Sequence, residues 1–367
     1  MKVIVYTSSR ADFGHLKILL KELSKSRIVK AQLLIIEIFI KGEKYFTKKI
    51  LNNVPIPYKY LPLLVLPDKR NQTGKNFNRI FKSALDIFIK EKPKLVVVLG
   101  DRFETFAVAI AAYMLRIDIA HIHGGEISFG SLDQGYRDSI TQLSKLHFVS
   151  TKVNKDRVES MVFSKQNIYN FGALAVENTS EILKLLPERW ELLSKKFNLE
   201  KKNYILLTFH PVTTESDFGM SELKILIQDL KTFGLPVLAT SANSDYGGWQ
   251  INQYISKCFK LGIIKGSFQH TLGLEDYVIV ANNSYAVVGN SSSILFETSI
   301  LNVLGIDFGK RQVGRIAPKN IVRVSAQKGL MLSVLQNTNR NFKSNSNFYG
   351  NGQTARKIVT KLEKYGQ

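Results

Sequence analysis

Acidic and imidazole side chains stand where short apolar runs of this chain give way to glycine or polar residues. Asp101 follows one such run, His123 and Glu126 follow the next, and His210 follows another in the second half of the chain. Carboxylates and imidazoles are the side chains that most often move protons in enzymes. Open α/β sheets bind ligands beyond the carboxyl ends of their parallel strands. The pattern therefore predicts proton-transfer chemistry at strand ends.

Other interpretations of these residues remain open. Asp101 is followed by Arg102, with which it could equally form a local salt bridge. His121 and His123 would share one face of a strand, but no third metal ligand stands in register with them, and packed or hydrogen-bonded histidines are commoner. The single cysteine, Cys258, excludes a disulfide within the chain and a cysteine-rich zinc site. We expect no metal and no cofactor.

Small hydroxyl residues mark two predicted helix starts, and arginines stand nearby in the sequence. Such helix starts suit phosphate groups because backbone N–H groups and serine hydroxyls both donate there, although ordinary capping uses the same residues. No GxxxxGK[ST] loop occurs, and no GxGxxG follows the first strand. The two helix starts and the nearby arginines together predict a diphosphate site. Its residues are Arg10, Ser291, Ser292, Ser293, Arg311 and Arg315.

Strands and helices alternate in both halves of the chain. Leu95–Leu99, the helical stretch Glu104–Leu115 and Ile117–Ile122 form a βαβ unit, and the runs Tyr204–Thr208 and Tyr285–Gly289 repeat the pattern. The sequence predicts an α/β protein with two Rossmann-like domains facing a central cleft. We assign residues 1–172 to an N-terminal domain and 173–350 to a C-terminal domain, and expect a helix at 351–367 to pack back across the boundary.

Composition limits the partners of this protein. Its formal charge is +21, and residues 1–100 hold 20 Lys and Arg against 7 Asp and Glu. That excess favours anionic partners, although a solvated lysine-rich surface explains it equally well. The absence of a run of five basic residues argues against nucleic acid, whereas peripheral association with an acidic membrane face stays open. Without a secretory segment or an apolar stretch of roughly 18 residues, the sequence predicts a cytoplasmic protein.

Seven motifs together resemble one family, the hydrolysing UDP-N-acetylglucosamine 2-epimerases of sialic and legionaminic acid biosynthesis. The matching stretches are TSSRADFGHL (7–16), LGDRFETFAVAIAAYMLRIDIAHIHGGE (99–126), LDQGYRDSITQLSKLHF (132–148), TFHPVT (208–213), ATSANSDYGG (239–248), VVGNSSSILFE (287–297) and IDFGKRQVGR (306–315). The resemblance implies a GT-B-like fold and a nucleotide-sugar substrate, for which we expect a UDP-linked sugar. It also implies a homo-oligomer that serves sialic acid or capsule polysaccharide synthesis.

The family's chemistry is elimination of the nucleoside diphosphate, followed by addition of water and reprotonation at C2. By resemblance, the acid/base groups are Asp101, His123, Glu126, Asp133 and His210. The same resemblance assigns substrate binding to Arg10, Arg137, Asn243, Ser291, Ser292, Ser293, Glu297, Arg311 and Arg315.

The stretch LDQGYRD departs from the family's usual pattern of two adjacent acids followed by Arg-His. Gln134 replaces the second acid and Asp138 replaces the histidine, whereas Asp133 and Arg137 are kept. Gln134 cannot exchange a proton, and Asp138 adds a charge that we expect Arg137 to neutralise. The alternative functions are therefore a GT-B-type glycosyltransferase of surface-polysaccharide assembly, a catalytically drifted epimerase homologue, or a non-catalytic nucleotide-binding protein.

Overall fold

The computed structural model of the chain describes residues 1–39, 45–64, 72–184, 186–243, 245–338 and 348–367. The chain forms two compact units, each made of several segments. Unit 1 comprises Met1–Glu126, Asp133–Asn178 and Gly350–Gln367, and unit 2 comprises Ile127–Leu132 and Thr179–Tyr349. Among the helices that the structure describes, none is long and apolar enough to span a membrane.

Unit 1 is built on a seven-stranded parallel sheet in the order β3-β2-β1-β4-β5-β6-β7. Its strands are β1 Lys2–Thr7, β2 Lys30–Phe39, β3 Tyr58–Leu64, β4 Leu95–Leu99, β5 Asp118–Ile122, β6 Leu146–Val149 and β7 Ile168–Asn170. Its helices are α1 Arg10–Ser24, α2 Lys48–Leu51, α3 Gln72–Glu91, α4 Phe103–Met114, α5 Asp133–Leu143, α6 Lys152–Met161, α7 Leu174–Leu183 at the boundary, and α13 Thr354–Tyr365. Every residue of β4 is buried, as expected for a central parallel strand covered on both faces.

The C-terminal helix α13 belongs to unit 1. Ile358 and Leu362 lie in the same apolar cluster as residues of α1. Thr354 Oγ1 donates to the Phe171 carbonyl at 2.8 Å, and Glu177 Oε2 accepts from the Ala355 N–H at 2.8 Å. The sequence placed the domain boundary at residue 172, whereas the compact unit continues to Asn178 and resumes at Gly350.

Unit 2 contains a six-stranded parallel sheet in the order β10-β9-β8-β11-β12-β13. Its strands are β8 Ile205–Thr208, β9 Val237–Thr240, β10 Gly266–Gln269, β11 Ala286–Gly289, β12 Leu304–Phe308 and β13 Ile321–Val324. Its helices are α8 Leu186–Phe197, α9 Met220–Phe233, α10 Gly248–Lys260, α11 Leu274–Asn283 and α12 Leu330–Asn337. Both sheets follow the Rossmann strand order, which reverses between the first and fourth strands of each sheet and creates a ligand-binding crevice there.

The prediction of an α-helix after β11 is wrong. The chain instead makes two short 3₁₀ turns, Ser292–Ile294 and Thr298–Ile300. The Ser291 hydroxyl accepts from the Ser293 N–H at 3.3 Å, and a local serine bond of this kind competes with α-helical bonding. The loop therefore cannot offer the helix dipole that the sequence analysis invoked for anion binding.

Candidate active site

Unit 1 places three candidate site residues at the carboxyl ends of neighbouring strands. Arg10 begins α1 directly after β1, Asp101 follows β4, and Glu126 lies in the loop after β5. β4 pairs with both β1 and β5, so the three residues project from one edge of the sheet at its point of strand-order reversal. The Arg10 guanidinium carbon lies 5.4 Å from the centre of the Tyr45 ring.

Asp101 pairs with a buried cation, Arg137 on α5. Only 1% of the Arg137 side chain is exposed, against 22% of Asp101. Burying a guanidinium is costly unless a carboxylate neutralises it. Arg102 instead forms its ion pair with Glu104, at 3.0 Å. The ion pair of Asp101 with Arg137 joins two elements, in addition to any local contact with Arg102, and Asp101 lies half-buried at the strand end.

Glu126 is buried and surrounded by hydrogen-bond donors. Its Oε1 accepts from Ser150 Oγ at 3.0 Å and lies 3.3 Å from His123 Nδ1. Asn154 Nδ2 donates to the same Ser150 hydroxyl at 2.8 Å, which fixes that hydroxyl in place. A carboxylate beside an imidazole is an arrangement that can hold and transfer one proton.

The two histidines of the HIHGGE motif differ in their surroundings. His121 lies inside β5, fully buried, and its Nε2 lies 2.8 Å from the Gly100 carbonyl oxygen. That carbonyl only accepts, so Nε2 carries the proton and Nδ1 accepts from Thr141 Oγ1 at 3.2 Å. Burial lowers the pKa of His121 to about 3. His121 is therefore a neutral group that fixes the loop before Asp101.

His123 lies beyond the strand in the left-handed region, with φ of 68°. The expectation that it shares a strand face with His121 is wrong, because the chain turns at this residue. Its N–H donates to the Phe148 carbonyl at 2.9 Å, which holds the turn against β6. The turn brings the His123 ring toward Glu126.

The departures from the family pattern on α5 form one hydrogen-bonded group. Gln134 Oε1 accepts from Arg137 Nη1 at 2.9 Å, and Gln134 Nε2 donates to Asp138 Oδ1 at 2.9 Å. Asp138 also accepts two bonds from Arg157 of α6, both at 2.9 Å. Burial alone would raise the pKa of Asp138, but the bonds from Arg157 and Gln134 lower it. Arg157 is the ion-pair partner of Asp138, and the charge of Arg137, which the sequence analysis expected to neutralise Asp138, makes a smaller contribution that also lowers its pKa.

Asp133 is the first residue of α5 and is half-buried. Tyr136, one helical turn along, stacks on Phe106 of α4 with ring centres 5.5 Å apart. Burial raises the pKa of Tyr136, and the charges of Asp133 and Glu104 raise it further. A carboxylate thus lies near this aromatic pair at the same end of α5 as Gln134.

In unit 2, His210 follows β8 and is fixed by the Asn243 backbone and the Asn290 side-chain amide. Its Nδ1 accepts from the Asn243 N–H at 3.0 Å, so the neutral ring carries its proton on Nε2. Its own N–H donates to Asn290 Oδ1 at 2.6 Å, and Asn290 Nδ2 donates back to the His210 carbonyl at 2.8 Å. These contacts tie the ends of β8 and β11 together, and Asn243 acts through its backbone.

The serine cluster after β11 is joined by hydroxyl bonds. Ser293 Oγ donates to Ser291 Oγ at 2.9 Å and lies 2.6 Å from the Tyr277 hydroxyl oxygen. Ser292 begins the first 3₁₀ turn. Glu297 lies just before the second 3₁₀ turn and is buried, with 3% of its surface exposed.

The two arginines after β12 have different contacts. Arg311 Nε donates to the Pro211 carbonyl at 3.2 Å and its Nη1 to the Asn290 carbonyl at 3.3 Å, so this side chain braces the loops around His210. Arg315 lies over the Phe296 ring, 5.5 Å from its centre. Sequence reasoning missed Asn290 and Gln312, whose Nε2 donates to the Asn290 carbonyl at 2.8 Å. Amides that brace loops carry no spacing pattern that would reveal them.

The segment Ile127–Leu132, between Glu126 and Asp133, belongs to unit 2. The Phe129 N–H donates to the Val313 carbonyl at 3.0 Å. A Cβ on Gly130 would lie 2.5 Å from the Arg311 Cα, so only glycine fits there. Within the described ranges, no group of three or more His, Cys, Asp or Glu side chains is placed to hold a metal ion.

These two parallel sheets, with candidate site residues at both strand-order reversals, define a GT-B-like α/β protein. A UDP-N-acetylglucosamine 2-epimerase of Neisseria meningitidis, solved with UDP-GlcNAc bound, has the same fold. That structure aligns with a TM-score of 0.81 at 19% identity over 99% of this chain and 100% of its own.

The sequence comparisons identify the family. The family described as UDP-N-acetylglucosamine 2-epimerase matches residues 44–363. The GDP/UDP-N,N'-diacetylbacillosamine 2-epimerase (hydrolyzing) of Campylobacter jejuni is 30% identical over 88% of this chain and 83% of its own length. The UDP-N,N'-diacetylbacillosamine 2-epimerase (hydrolyzing) of Legionella pneumophila is 27% identical over 99% and 95%. The chain belongs to the UDP-N-acetylglucosamine 2-epimerase family, which confirms the resemblance seen in its motifs.

Proposed function

We propose that this enzyme is a hydrolysing 2-epimerase of a nucleotide-activated 2-acetamido sugar. It releases the nucleoside diphosphate and the free sugar inverted at C2. The observation that carries the proposal is the placement of Asp101 and Glu126 at one edge of the unit 1 sheet by a shared buried arginine. Arg137 pairs with the Asp101 carboxylate and donates to the Glu126 carbonyl. The family membership supports the same reaction.

The reaction needs a base and an acid in turn. A base removes the C2 proton while the C1–O bond to the diphosphate breaks, which leaves a double bond between C1 and C2. Water then adds its oxygen at C1, and a proton returns to C2 on the opposite face. We assign these transfers to Asp101, Glu126 with His123, and Asp133, because carboxylates and imidazole exchange protons at neutral pH.

Unit 2 supplies groups suited to the departing diphosphate. Ser291, Ser292 and Ser293 offer hydroxyl donors, and Arg315 offers a cation. Charge that develops on a leaving oxygen is stabilised by donors already held in place. His210, with its proton on Nε2, can donate to such an oxygen.

Further assignments rest on the resemblance and on this proposal. Arg10 at the start of α1 would bind an anionic group of the substrate, and the buried carboxylate Glu297 the ribose hydroxyls. Asn243 and Arg311, whose contacts hold the loops around His210, would shape the nucleotide site.

The substrate is tested by incubating the protein with UDP-N,N'-diacetylbacillosamine, its GDP-linked counterpart or UDP-N-acetylglucosamine in deuterated water. We expect release of the nucleoside diphosphate and one deuterium at C2 of an inverted sugar with one of the three. The relatives from Campylobacter and Legionella favour the diacetamido sugar. Failure to turn over any of them would refute the proposal.

The same assay separates the alternative reaction. A glycosyltransferase would need an added glycan acceptor, would leave C2 without deuterium, and would form a glycoside and not a free sugar. Composition and resemblance support three further proposals: self-association, a cytoplasmic location and contact with an acidic membrane face. Light scattering tests self-association, and vesicle sedimentation tests membrane contact.

A further inference from the structure

Five groups around Glu126 form a closed ring of hydrogen bonds within unit 1. The Glu126 carbonyl accepts from Arg137 Nη1 at 2.9 Å, and Arg137 Nη1 also donates to Gln134 Oε1 at 2.9 Å. Gln134 Nε2 donates to Asp138 Oδ1 at 2.9 Å, and Asp138 accepts two bonds from Arg157. Arg157 Nη1 closes the ring on the Glu126 carbonyl at 3.3 Å.

The ring touches both candidate acid/base residues. It holds the backbone of Glu126 directly, and it holds Arg137, whose other amino group pairs with Asp101. Arg137 is 1% exposed, so its guanidinium has little room for another position unless its partners move. Gln134 cannot orient Arg137 by charge; its amide acts because Asp138 and the Glu126 carbonyl fix which way its oxygen points.

We propose that Asp138 and Arg157 are positioning residues that set the geometry of Asp101 and Glu126 through Gln134 and Arg137. This inference rests on the proposed epimerase function for its kinetic consequences. The planar fork of Arg157 matches the Asp138 carboxylate with two parallel bonds, which is the geometry that specifies orientation best. Gln134 and Asp138, where this chain departs from the family pattern, therefore keep Arg137 in place through their hydrogen bonds.

The test uses Asp138→Asn and Arg157→Gln in the full-length protein. The first substitution turns an amide N–H toward Arg157 or Gln134 where a carboxylate oxygen accepted before, so the paired bonds are lost. Small displacements of catalytic groups cost about 100-fold in rate. We expect kcat to fall about 10- to 100-fold while KM and UDP affinity change less than about threefold. Arg157→Lys keeps the charge without the fork, so we expect an intermediate kcat.

The pH dependence of kcat distinguishes positioning from simple stabilisation. A looser Arg137 neutralises Asp101 less well, so the acid limb of the profile should move to higher pH in both variants. The control is Asp156→Asn, which breaks an exposed ion pair with Lys152 on the same helix α6. That variant should keep the wild-type kcat and profile.

Unchanged kcat and acid limb in the two variants, or a change in KM or melting temperature alone, would overturn the proposal. Should the wild type turn over no nucleotide sugar, the proposed function fails but this inference is still decided by a crystal structure of Asp138→Asn. Displacement of the Arg137 guanidinium from Asp101 supports it, and an unmoved guanidinium rejects it.

Discussion

Arg137 is the side chain that joins the two proposed acid/base residues of unit 1, Asp101 and Glu126. It is one of the largest fully buried side chains, and it contacts the Asp101 carboxylate, the Glu126 carbonyl and Gln134. Removing one partner of a buried ion pair leaves an uncompensated charge. The proposed function therefore links catalysis and stability at Asp101.

We expect Asp101→Asn to reduce kcat by about 100- to 10,000-fold, since a general acid or base contributes that much. The same substitution should lower the free energy of unfolding by about 1–3 kcal/mol, because the buried Arg137 keeps an oxygen acceptor but loses its counter-ion. Nucleotide release measures the first effect and denaturant unfolding the second.

A matched control for this variant is Asp118→Asn, at the opposite end of the neighbouring strand β5. Asp118 forms an exposed pair with Lys145 at 3.3 Å. Exposed pairs contribute about 1 kcal/mol or less, so kcat should not change. Equal losses of kcat in the two variants would show that Asp101 acts only on stability.

The sequence predicted where these residues lie but not what they contact. Asp101 and Glu126 follow buried apolar runs, and a short-range pattern is enough to place them at strand ends. Arg157 was not singled out, because its bond to Asp138 depends on α6 packing beside α5. Contacts between elements that are distant in sequence leave no mark in the local pattern.

At the scale of elements, strands that form continuous apolar runs were the easiest to predict, whereas β3 and β13 were not predicted. β4, β8 and β11 are continuous apolar runs, whereas β3 mixes exposed and half-buried residues and contains Pro62. Proline weakens a strand assignment because it lacks an N–H. β13 alternates apolar residues with Arg323, which leaves too short a pattern to recognise.

Two glycines, one in a helix and one at a strand end, should respond oppositely to alanine. Gly135 lies in α5 with open space around its missing Cβ, so Gly135→Ala should raise the free energy of unfolding by about 0.5–1 kcal/mol. Gly289 ends β11 at φ 136°, and a Cβ there would lie 1.9 Å from the Thr208 carbonyl oxygen. Gly289→Ala should cost about 3 kcal/mol or more, because strained backbone and a clash with β8 add together.

Denaturant unfolding of both variants checks this prediction. A stabilised Gly289→Ala protein would mean that β8 and β11 do not pair as closely as the register indicates. Gly135→Ala should also leave kcat unchanged, since its side chain would enter open space.

At the scale of the whole molecule, two units are assembled from chain segments that alternate between them. The chain leaves unit 1 at Glu126, returns at Asp133, leaves again after Asn178 and returns at Gly350. The sequence predicted two domains and a helix at the C-terminus that packs back. It did not predict that Ile127–Leu132 belongs to unit 2, because a short loop with no periodic pattern does not reveal which unit it packs against.

Two buried histidines should make the stability of unit 1 depend on pH. Burial lowers the pKa of His121 to about 3 and that of His147 to about 4. In the unfolded chain both titrate near pH 6.5. As the pH falls from about 6.5 to about 4, the unfolded state binds two protons that the folded state does not bind. The free energy of unfolding therefore decreases toward acid pH. Each histidine contributes about a tenfold change in the folding constant per pH unit.

Denaturant unfolding at about pH 7.5, 6 and 5 measures this slope, which reports the difference in bound protons between the two states. Replacing His147 by glutamine removes one titrating group, so the slope should flatten by about one proton. If His147→Gln and the wild type lost stability equally over this range, the buried imidazole would not resist protonation. The acid sensitivity of unit 1 over this range would then rest on His121 and not on His147.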